Sequence, residues 1–194
     1  MHHHHHFIIY KPQGYLSQFI NNQNKRKNKK LLGTLHDFPK GTMAIGRLDE
    51  NSEGLLLLTT DGKVSEQVRS KKIEKEYFIQ LDGEITPTAI ELLKKGVEIS
   101  VNKKKYLTLP CEAKRLNLVP TFAPPKRKRG ESHGATSWIS ITIREGKFRQ
   151  VRKMSAAVGF PTIRLVRVRI GEIHLKNMQP AEVIEVNHFR LITE

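Results

Sequence analysis

The sequence contains a single cysteine, Cys111, among its 194 residues. A disulfide within the chain is therefore excluded, and a lone thiol fits a reducing cytoplasm. No uninterrupted apolar run is longer than the four leucines at 55–58. This is far short of the roughly 20 residues of a membrane-spanning helix. The start of the chain has no apolar core of the signal-peptide kind. These absences predict a cytoplasmic protein without a membrane segment.

Acidic residues are also scarce. The chain has 19 Asp and Glu against 34 Lys and Arg, which gives a formal net charge of +15. Such an excess favours encounter with polyanions and supplies phosphate contacts. Charge alone does not separate an RNA enzyme from a ribosomal protein or a membrane binder. The membrane alternative is weaker, because the basic segments lack the apolar face of an interfacial helix.

Three segments stand apart in composition. Residues 2–6 are all histidine; residues 1–6 are interpreted as part of an affinity tag, although a native origin of the run stays open. Residues 21–30 are polar and basic, as in a surface loop that solubilises the protein or grips phosphates. Residues 120–135 carry three prolines and the run 126–129 of four cations. This second basic loop is a candidate linker between two lobes.

The remaining chain alternates short apolar stretches with turn residues, which predicts an α+β fold with a largely antiparallel sheet. Thr86 and Pro87 form a favourable helix start and Gly96 a favourable end. A further helix is predicted for residues 63–70 and another for 148–158. Strands are predicted for residues 7–10, 54–60, 75–81, 97–99, 106–109, 112–118, 137–143 and 162–173.

A polar cluster around Asp49 lies directly before the apolar run 55–58. Gly46 and Gly54 permit tight backbone geometry there, and loops beside buried strands often carry functional side chains. From the residues alone, such a cluster is more often an ordinary turn in which the aspartate, here Asp49, caps backbone amides. The cluster is a candidate catalytic site with that alternative open.

A basic cluster occupies residues 144–154. On a helix, Arg149, Arg152 and Lys153 share one face at three- and four-residue spacing. Such a face is commonly just solvated. In this position it is also able to bind phosphate, or to turn one arginine inward towards a carboxylate.

Four motifs, in order along the chain, resemble those of the RsuA-type pseudouridine synthases. Residues 11–17 resemble the family's opening motif, and residues 46–62, with Gly-Arg-Leu-Asp at 46–49, resemble its active-site motif. Residues 75–77 resemble its tyrosine motif. Residues 146–154, extended to Arg167, resemble its basic motif. Together they cover essentially the whole chain from Phe7 to about residue 186. Within the family, the sequence is most similar to the E-type enzymes of the large ribosomal subunit.

The resemblance implies the pseudouridine synthase fold, a mixed and largely antiparallel sheet in two lobes with a central RNA-binding cleft. It implies one catalytic domain over residues 7–194, without the S4 domain that many members carry. One departure is Phe148, where many members have a polar residue such as asparagine.

The resemblance also implies the roles of individual residues. Asp49 is the catalytic carboxylate, Arg152 its basic partner, and Tyr77 stacks on the displaced uracil. Leu165 packs beneath the base and Arg47 contacts RNA phosphate. Further substrate contacts are expected from Arg149, Lys153, Arg167 and Lys11. No metal or cofactor is expected, because substrate and product are isomers.

The implied function is isomerisation of one uridine in 23S rRNA, by a monomer whose partner is RNA. Two alternatives remain: a noncatalytic rRNA-binding assembly factor, and a synthase that acts on another RNA such as tRNA. Whether Asp49 attacks C1′ or removes the C2′ proton also stays open.

Overall fold

A computed structural model of the protein describes residues 4–20, 28–70, 73–125 and 134–191. Most of the two predicted basic loops, residues 21–27 and 126–133, lies outside these ranges. The chain forms two compact units. Unit 1 comprises Met1–Ile73 with Arg167–Glu194, and unit 2 comprises Glu74–Val166.

Unit 1 is built around strand β5 (Glu53–Thr59), all of whose residues are buried. Strand β1 (His6–Lys11) pairs with it antiparallel, so that Lys11 lies opposite Gly54. Strand β13 (Val183–Val186) pairs with the other edge of β1, and β4 (Met43–Ile45) pairs with the end of β5. A strand covered on both faces reads as a continuous apolar run, which explains the four leucines of β5.

Smaller elements complete unit 1. Strands β2 (Tyr15–Leu16) and β3 (Lys30–Leu31) pair in parallel, and a 3-10 helix (Leu32–Thr34) follows. Helix α1 (Gly62–Ser70) begins where Asp61 Oδ1 accepts a hydrogen bond from the amide of Lys63 at 2.8 Å. Asp61 thus caps a helix. The predicted basic loop ends earlier than residue 30, because Lys30 already belongs to β3.

The first strand begins inside the histidine run. His6 is buried, and its Nδ1 lies 2.9 Å from Thr59 Oγ1. The interpretation of this run as a tag stays a prediction, but His6 is part of the folded unit.

In its described residues, unit 2 is a layer of antiparallel strands with two helices. Strand β6 (Lys75–Asp82) pairs with β10 (Thr136–Ile143), which pairs with β9 (Glu112–Arg115). Strand β11 (Thr162–Ile170) neighbours β6; its residues up to Val166 belong to unit 2 and the remainder to unit 1. In unit 1, β12 (Ile173–His174) folds back on β11.

Helix α2 (Pro87–Lys95) confirms the predicted capping residues. Thr86 Oγ1 accepts a hydrogen bond from the amide of Ala89 at 3.2 Å, and Gly96 ends the helix with φ of 97°. A hairpin follows, formed by β7 (Glu98–Val101) and β8 (Lys104–Leu107). Helix α3 (Gln150–Ala157) packs against β7.

Several boundaries differ from the sequence prediction by one to three residues. The basic helix starts at Gln150, because Arg149 has φ of 52° and ψ of 32° and lies outside the helix. The strand predicted for residues 112–118 stops at Arg115. Strand β11 ends at Ile170, since Gly171 turns the chain with φ of 54°. The mixed, largely antiparallel α+β prediction is confirmed.

Candidate active site

Asp49 lies in unit 1, in the loop between β4 and β5. Gly46 has φ of 72°, with open space where a side chain would be. A turn closes where the amide of Ser52 donates to the carbonyl of Asp49 at 3.0 Å. Leu48 is buried, whereas Asp49 is half-buried. The loop is therefore anchored in the core next to a residue, Asp49, that is only partly buried.

The opening motif holds this loop on both sides of Asp49. Ser17 Oγ donates to the Leu48 carbonyl at 2.7 Å and accepts from the Leu48 amide at 2.9 Å. The amide of Gly14 donates to the carbonyl of Glu50 at 2.7 Å. Two motifs that are more than 30 positions apart therefore form one structure. Their joint function is to fix the backbone that carries Asp49.

Lys11 has no exposed surface. Its Nζ donates to the carbonyls of Pro12 at 3.0 Å and Tyr15 at 2.8 Å. Burial, followed by the nearby positive charge of Arg167, lowers the pKa of Lys11 to about 7. The carboxylates that oppose this shift are those of Glu53, Asp49 and Glu50. In this position Lys11 holds the turn of the opening motif, so the geometry supports a positioning role better than the expected substrate contact.

Arg167 is also a buried cation, 5% exposed. Its Nε donates to the carbonyl of Leu55 at 2.7 Å, and its Nη2 is buried without a hydrogen-bond partner among the described residues. Glu53, two residues before Leu55 on β5, is buried and accepts a 2.7 Å hydrogen bond from the hydroxyl of Tyr10. Sequence reasoning missed Tyr10 and Glu53, although a glutamate that opens an apolar strand is a signal for a buried carboxylate.

Tyr77 and Leu165 lie in unit 2. Along β6 the side chains of Tyr77, Ile79 and Leu81 point to the buried side, and Tyr77 is 8% exposed while the other two are 0% exposed. Tyr77 is thus the most exposed of three core side chains that lie on one side of β6. Leu165, on β11, is 4% exposed, which fits an apolar wall.

Arg152 is half-buried on α3. Its Nη1 lies 3.5 Å from the carbonyl of Thr162, a distance at the limit of a hydrogen bond. The neighbouring Ser155 Oγ and Thr162 Oγ1 are 2.7 Å apart. Helix α3 is therefore joined to the start of β11 beside Arg152.

The expectation that Arg149, Arg152 and Lys153 share one helical face is wrong for Arg149. Arg149 is exposed, and its backbone adopts the left-handed conformation immediately before the helix begins. Lys153 is on the helix, and its Nζ donates to the carbonyl of Ser100 at 2.7 Å. Arg47 is exposed in the loop before Asp49, as a phosphate contact requires.

The site residues expected from the sequence thus fall into two groups. Unit 1 carries Lys11, Arg47, Asp49 and Arg167, and unit 2 carries Tyr77, Arg149, Arg152, Lys153 and Leu165. Among the described residues, no group of three or more His, Cys, Asp or Glu side chains is arranged to hold a metal ion. None of the helices in the same ranges is long and apolar enough to cross a membrane.

Comparison with known proteins decides the family. The sequence model described as RNA pseudouridylate synthase matches residues 5–157. The chain belongs to the RNA pseudouridylate synthase family. The expected isomerase class is therefore confirmed. The matched range includes Asp49, Tyr77 and Arg152, whose catalytic roles stay predictions. Leu165 and Arg167 lie beyond the matched range.

Curated relatives of this synthase extend the match. It is 39% identical over 186 residues to ribosomal large subunit pseudouridine synthase E of Vibrio vulnificus, with 93% of this chain and 74% of the relative covered. It is 38% identical over 182 residues to the protein of the same name from Xanthomonas campestris, with 90% and 91% covered. The expected similarity to E-type enzymes is confirmed.

A solved structure supports the fold. The crystal structure of a pseudouridylate synthase superposes with a TM-score of 0.75 at 24% identity and covers 96% of this chain and 71% of that one. At this level of identity the likeness establishes the pseudouridine synthase fold.

Proposed function

We propose that this synthase converts one uridine of 23S rRNA to pseudouridine, with Asp49 as the catalytic carboxylate. The relatives named above act, by their names, on the large ribosomal subunit. The charge of +15 suits a polyanionic substrate. The proposal includes action by a single copy of the chain in the cytoplasm.

The observation that carries the role of Asp49 is the anchoring of its loop. Ser17 fixes Leu48, and Gly14 fixes Glu50, on either side of it. A carboxylate held in this way loses little conformational freedom when substrate binds, which is the basis of catalysis by positioning. The neighbouring Glu50 has a different environment, because its Oε1 lies 2.5 Å from Lys29 Nζ.

The reaction breaks the bond between N1 of uracil and C1′ of ribose, and forms a bond between C5 and C1′. The C5 proton is lost and N1 gains a proton, so no oxidant or reductant is consumed. Asp49 either attacks C1′ or removes the C2′ proton, and both roles need its ionised form. Tyr77 stacks on the detached base and assists C5 deprotonation, while Leu165 supports the base.

The basic residues serve binding and positioning of the RNA in this proposal. Arg152 is the basic partner in the reaction, and Arg47 contacts a phosphate. Arg149 and Lys153 bind further parts of the substrate, while buried Arg167 supports the start of β5 beside the Asp49 loop. Extrusion of the target base costs a few kcal/mol, least where RNA is unpaired.

The test is pseudouridine mapping on 23S rRNA, free and partly assembled, with wild type, Asp49→Asn and Glu50→Gln. Wild type should produce one new pseudouridine, Asp49→Asn none, and Glu50→Gln the same modification as wild type. Binding of rRNA should survive in Asp49→Asn. Modification that persists in Asp49→Asn excludes Asp49 as the catalytic residue. Tight binding without modification by wild type supports a noncatalytic assembly factor or another RNA substrate.

A further inference from the structure

Phe148 is an exposed aromatic side chain in a basic surface of unit 2. It is 68% exposed, and it is the aromatic member of the exposed large hydrophobics in the described ranges. Its neighbours Lys147 and Arg149 are exposed as well. An aromatic ring beside cations is the arrangement by which proteins bind unpaired nucleotides, because the ring stacks on bases and the cations contact phosphates.

The backbone presents this ring on a closed turn. The amide of Gln150 donates to the carbonyl of Lys147 at 3.1 Å, and Gln150 Oε1 accepts from the amide of Lys147 at 2.9 Å. Phe148 and Arg149 are the two residues inside the turn, and Arg149 adopts φ of 52°. Because the turn is closed from both sides, ordering Phe148 on a ligand costs little conformational entropy.

One face of the ring is already occupied. Lys153 Nζ lies 5.3 Å from the centroid of Phe148 and donates to the carbonyl of Ser100 at 2.7 Å. A cation over an aromatic face is a favourable contact, and this one also joins α3 to the β7–β8 hairpin. With 68% of the residue exposed, the opposite face is available to a flat partner.

The β7–β8 hairpin, which Lys153 contacts through the carbonyl of Ser100, carries further cations. Its tip consists of Asn102 and Lys103, with φ of 51° and 63°, followed by Lys104 and Lys105. All four side chains are exposed. A lysine in the left-handed region costs free energy that asparagine largely avoids, so the tip keeps a charge at the expense of backbone strain.

Two carboxylates lie in this surface, and both have partners. Glu145 accepts hydrogen bonds from the hydroxyl of Tyr106, the amide of Leu109 at 2.9 Å and Gln150 Nε2 at 2.6 Å. Exposed Glu98, on β7, has Oε1 at 3.0 Å from Lys105 Nζ. The charge of Glu98 is therefore offset by Lys105, and the exposed cations on which RNA binding depends are Lys147, Arg149, Lys103 and Lys104.

We propose that Phe148 is a stacking platform for one unpaired base of the RNA, outside the base that is modified, and that Lys103 and Lys104 of the hairpin contact phosphates of the same strand. This proposal rests on the proposed function only in taking the RNA to be the substrate. It assigns a recognition role to the position where the sequence departs from many family members.

Fluorescence anisotropy tests the platform, with labelled 12-nucleotide single-stranded RNAs that tile 23S rRNA; the tile that wild type binds most tightly is used for the variants. Phe148→Leu keeps an apolar side chain and removes the aromatic face, so its affinity should fall roughly 5- to 150-fold. Phe148→Trp should bind at least as tightly as wild type. Leu92→Ala, at an exposed leucine of α2, is the matched control and should bind like wild type.

An abasic scan of the same RNA locates the stacked base. One abasic position should weaken binding to wild type and have no effect on Phe148→Leu, because the lost contact is the same in both. Affinity of Phe148→Leu within twofold of wild type overturns the proposal, as does an abasic profile that is identical for the two proteins. Because Phe148 is exposed, the midpoint of unfolding of Phe148→Leu should equal that of wild type. An equal midpoint excludes misfolding as the cause of weaker binding.

Lys103→Asn tests the hairpin tip. Asparagine tolerates the left-handed backbone, so folding stability should stay level or rise, while the slope of log affinity against log salt should decrease by roughly 0.7. An unchanged slope removes the tip from the proposal.

Mapping of pseudouridine distinguishes the two hypotheses. If wild type modifies the rRNA, Phe148→Leu should raise KM and leave kcat near wild type. If wild type modifies nothing but the abasic profile depends on Phe148, the platform stands and the proposed function fails. If wild type is active and the Leu variant has unchanged KM, the platform alone fails.

Discussion

The backbone of Arg167 occupies the space that a side chain on Gly54 would need. A Cβ at residue 54 would lie 2.3 Å from the carbonyl oxygen and 2.7 Å from the amide nitrogen of Arg167. Gly54 also has φ of 108°. Arg167 in turn donates from Nε to the carbonyl of Leu55. Close approach at Gly54 is thus what allows a buried arginine to pack at the start of β5, next to the Asp49 loop.

Gly54→Ala should destabilise the protein by about 3 kcal/mol or more, because both the contact and the backbone angle oppose a side chain. Urea unfolding followed by circular dichroism measures this directly. Gly62→Ala is the matched control, since a Cβ there meets no atom within 4 Å. It should leave stability unchanged or raise it by about 0.5–1 kcal/mol. Equal effects of the two substitutions would show that β5 and Arg167 separate easily.

The Ser17 hydroxyl should matter more for turnover than for folding. Ser17→Ala removes both hydrogen bonds to Leu48, which should cost about 1–2 kcal/mol of stability. Because the released backbone carries Asp49, kcat should fall by roughly tenfold or more, with little change in KM. Steady-state pseudouridine formation measures the two constants.

Thr34→Ala is a suitable comparison for Ser17→Ala, since it removes a hydroxyl that donates to the carbonyl of Leu31 at 2.8 Å in the same unit. It should leave kcat unaltered. A Ser17→Ala enzyme with wild-type kcat would show that the Asp49 loop is held without the opening motif.

Local signals in the sequence predicted several elements well. The leucines of β5 indicated a buried strand, and Thr86, Pro87 and Gly96 marked both ends of α2. These elements are specified by residues within a few positions of one another. The motif resemblance added the family and the importance of Asp49, which the polar cluster by itself left open.

Long-range packing is what the sequence did not reveal. Strands β4 and β13 are short and only partly buried, so their pairing depends on β5 and β1 from distant parts of the chain. The motif resemblance implies a substrate contact for Lys11, and nothing in the sequence indicates its burial, because lysine is rarely fully buried. The helical pattern of the basic motif also continued through Arg149, although the chain is left-handed there.

The buried lysine should make stability depend on pH. The pKa of Lys11 is about 7 in the fold against a usual value of 10.5. Between these values the unfolded chain binds a proton that the folded chain does not, so stability rises with pH, by up to about 1.4 kcal/mol per pH unit. Below pH 7 both states are protonated and this dependence vanishes.

Lys11→Met tests this dependence. From pH 7.5 to 9, wild type should gain about 2 kcal/mol of unfolding free energy relative to Lys11→Met, as measured by urea unfolding. Lys40→Met, at an exposed lysine of the same unit, should differ from wild type in unfolding free energy by the same small amount at every pH. A constant difference for Lys11→Met as well would show that the carbonyls of Pro12 and Tyr15 keep the ammonium protonated.

Arg47 should contribute one phosphate contact to RNA binding. It is exposed in the loop that carries Asp49, and each phosphate neutralised on single-stranded RNA contributes roughly −0.7 to the slope of log K against log salt. Arg47→Gln should therefore reduce the slope measured with wild type by that amount and weaken binding most at low salt. Lys94→Gln is a fitting control, because Lys94 is already paired with Glu91 at 2.7 Å, and its slope should match wild type. If Arg47→Gln retains the full slope, its loop contacts the RNA without neutralising phosphate, and the contact assigned to Arg47 is wrong.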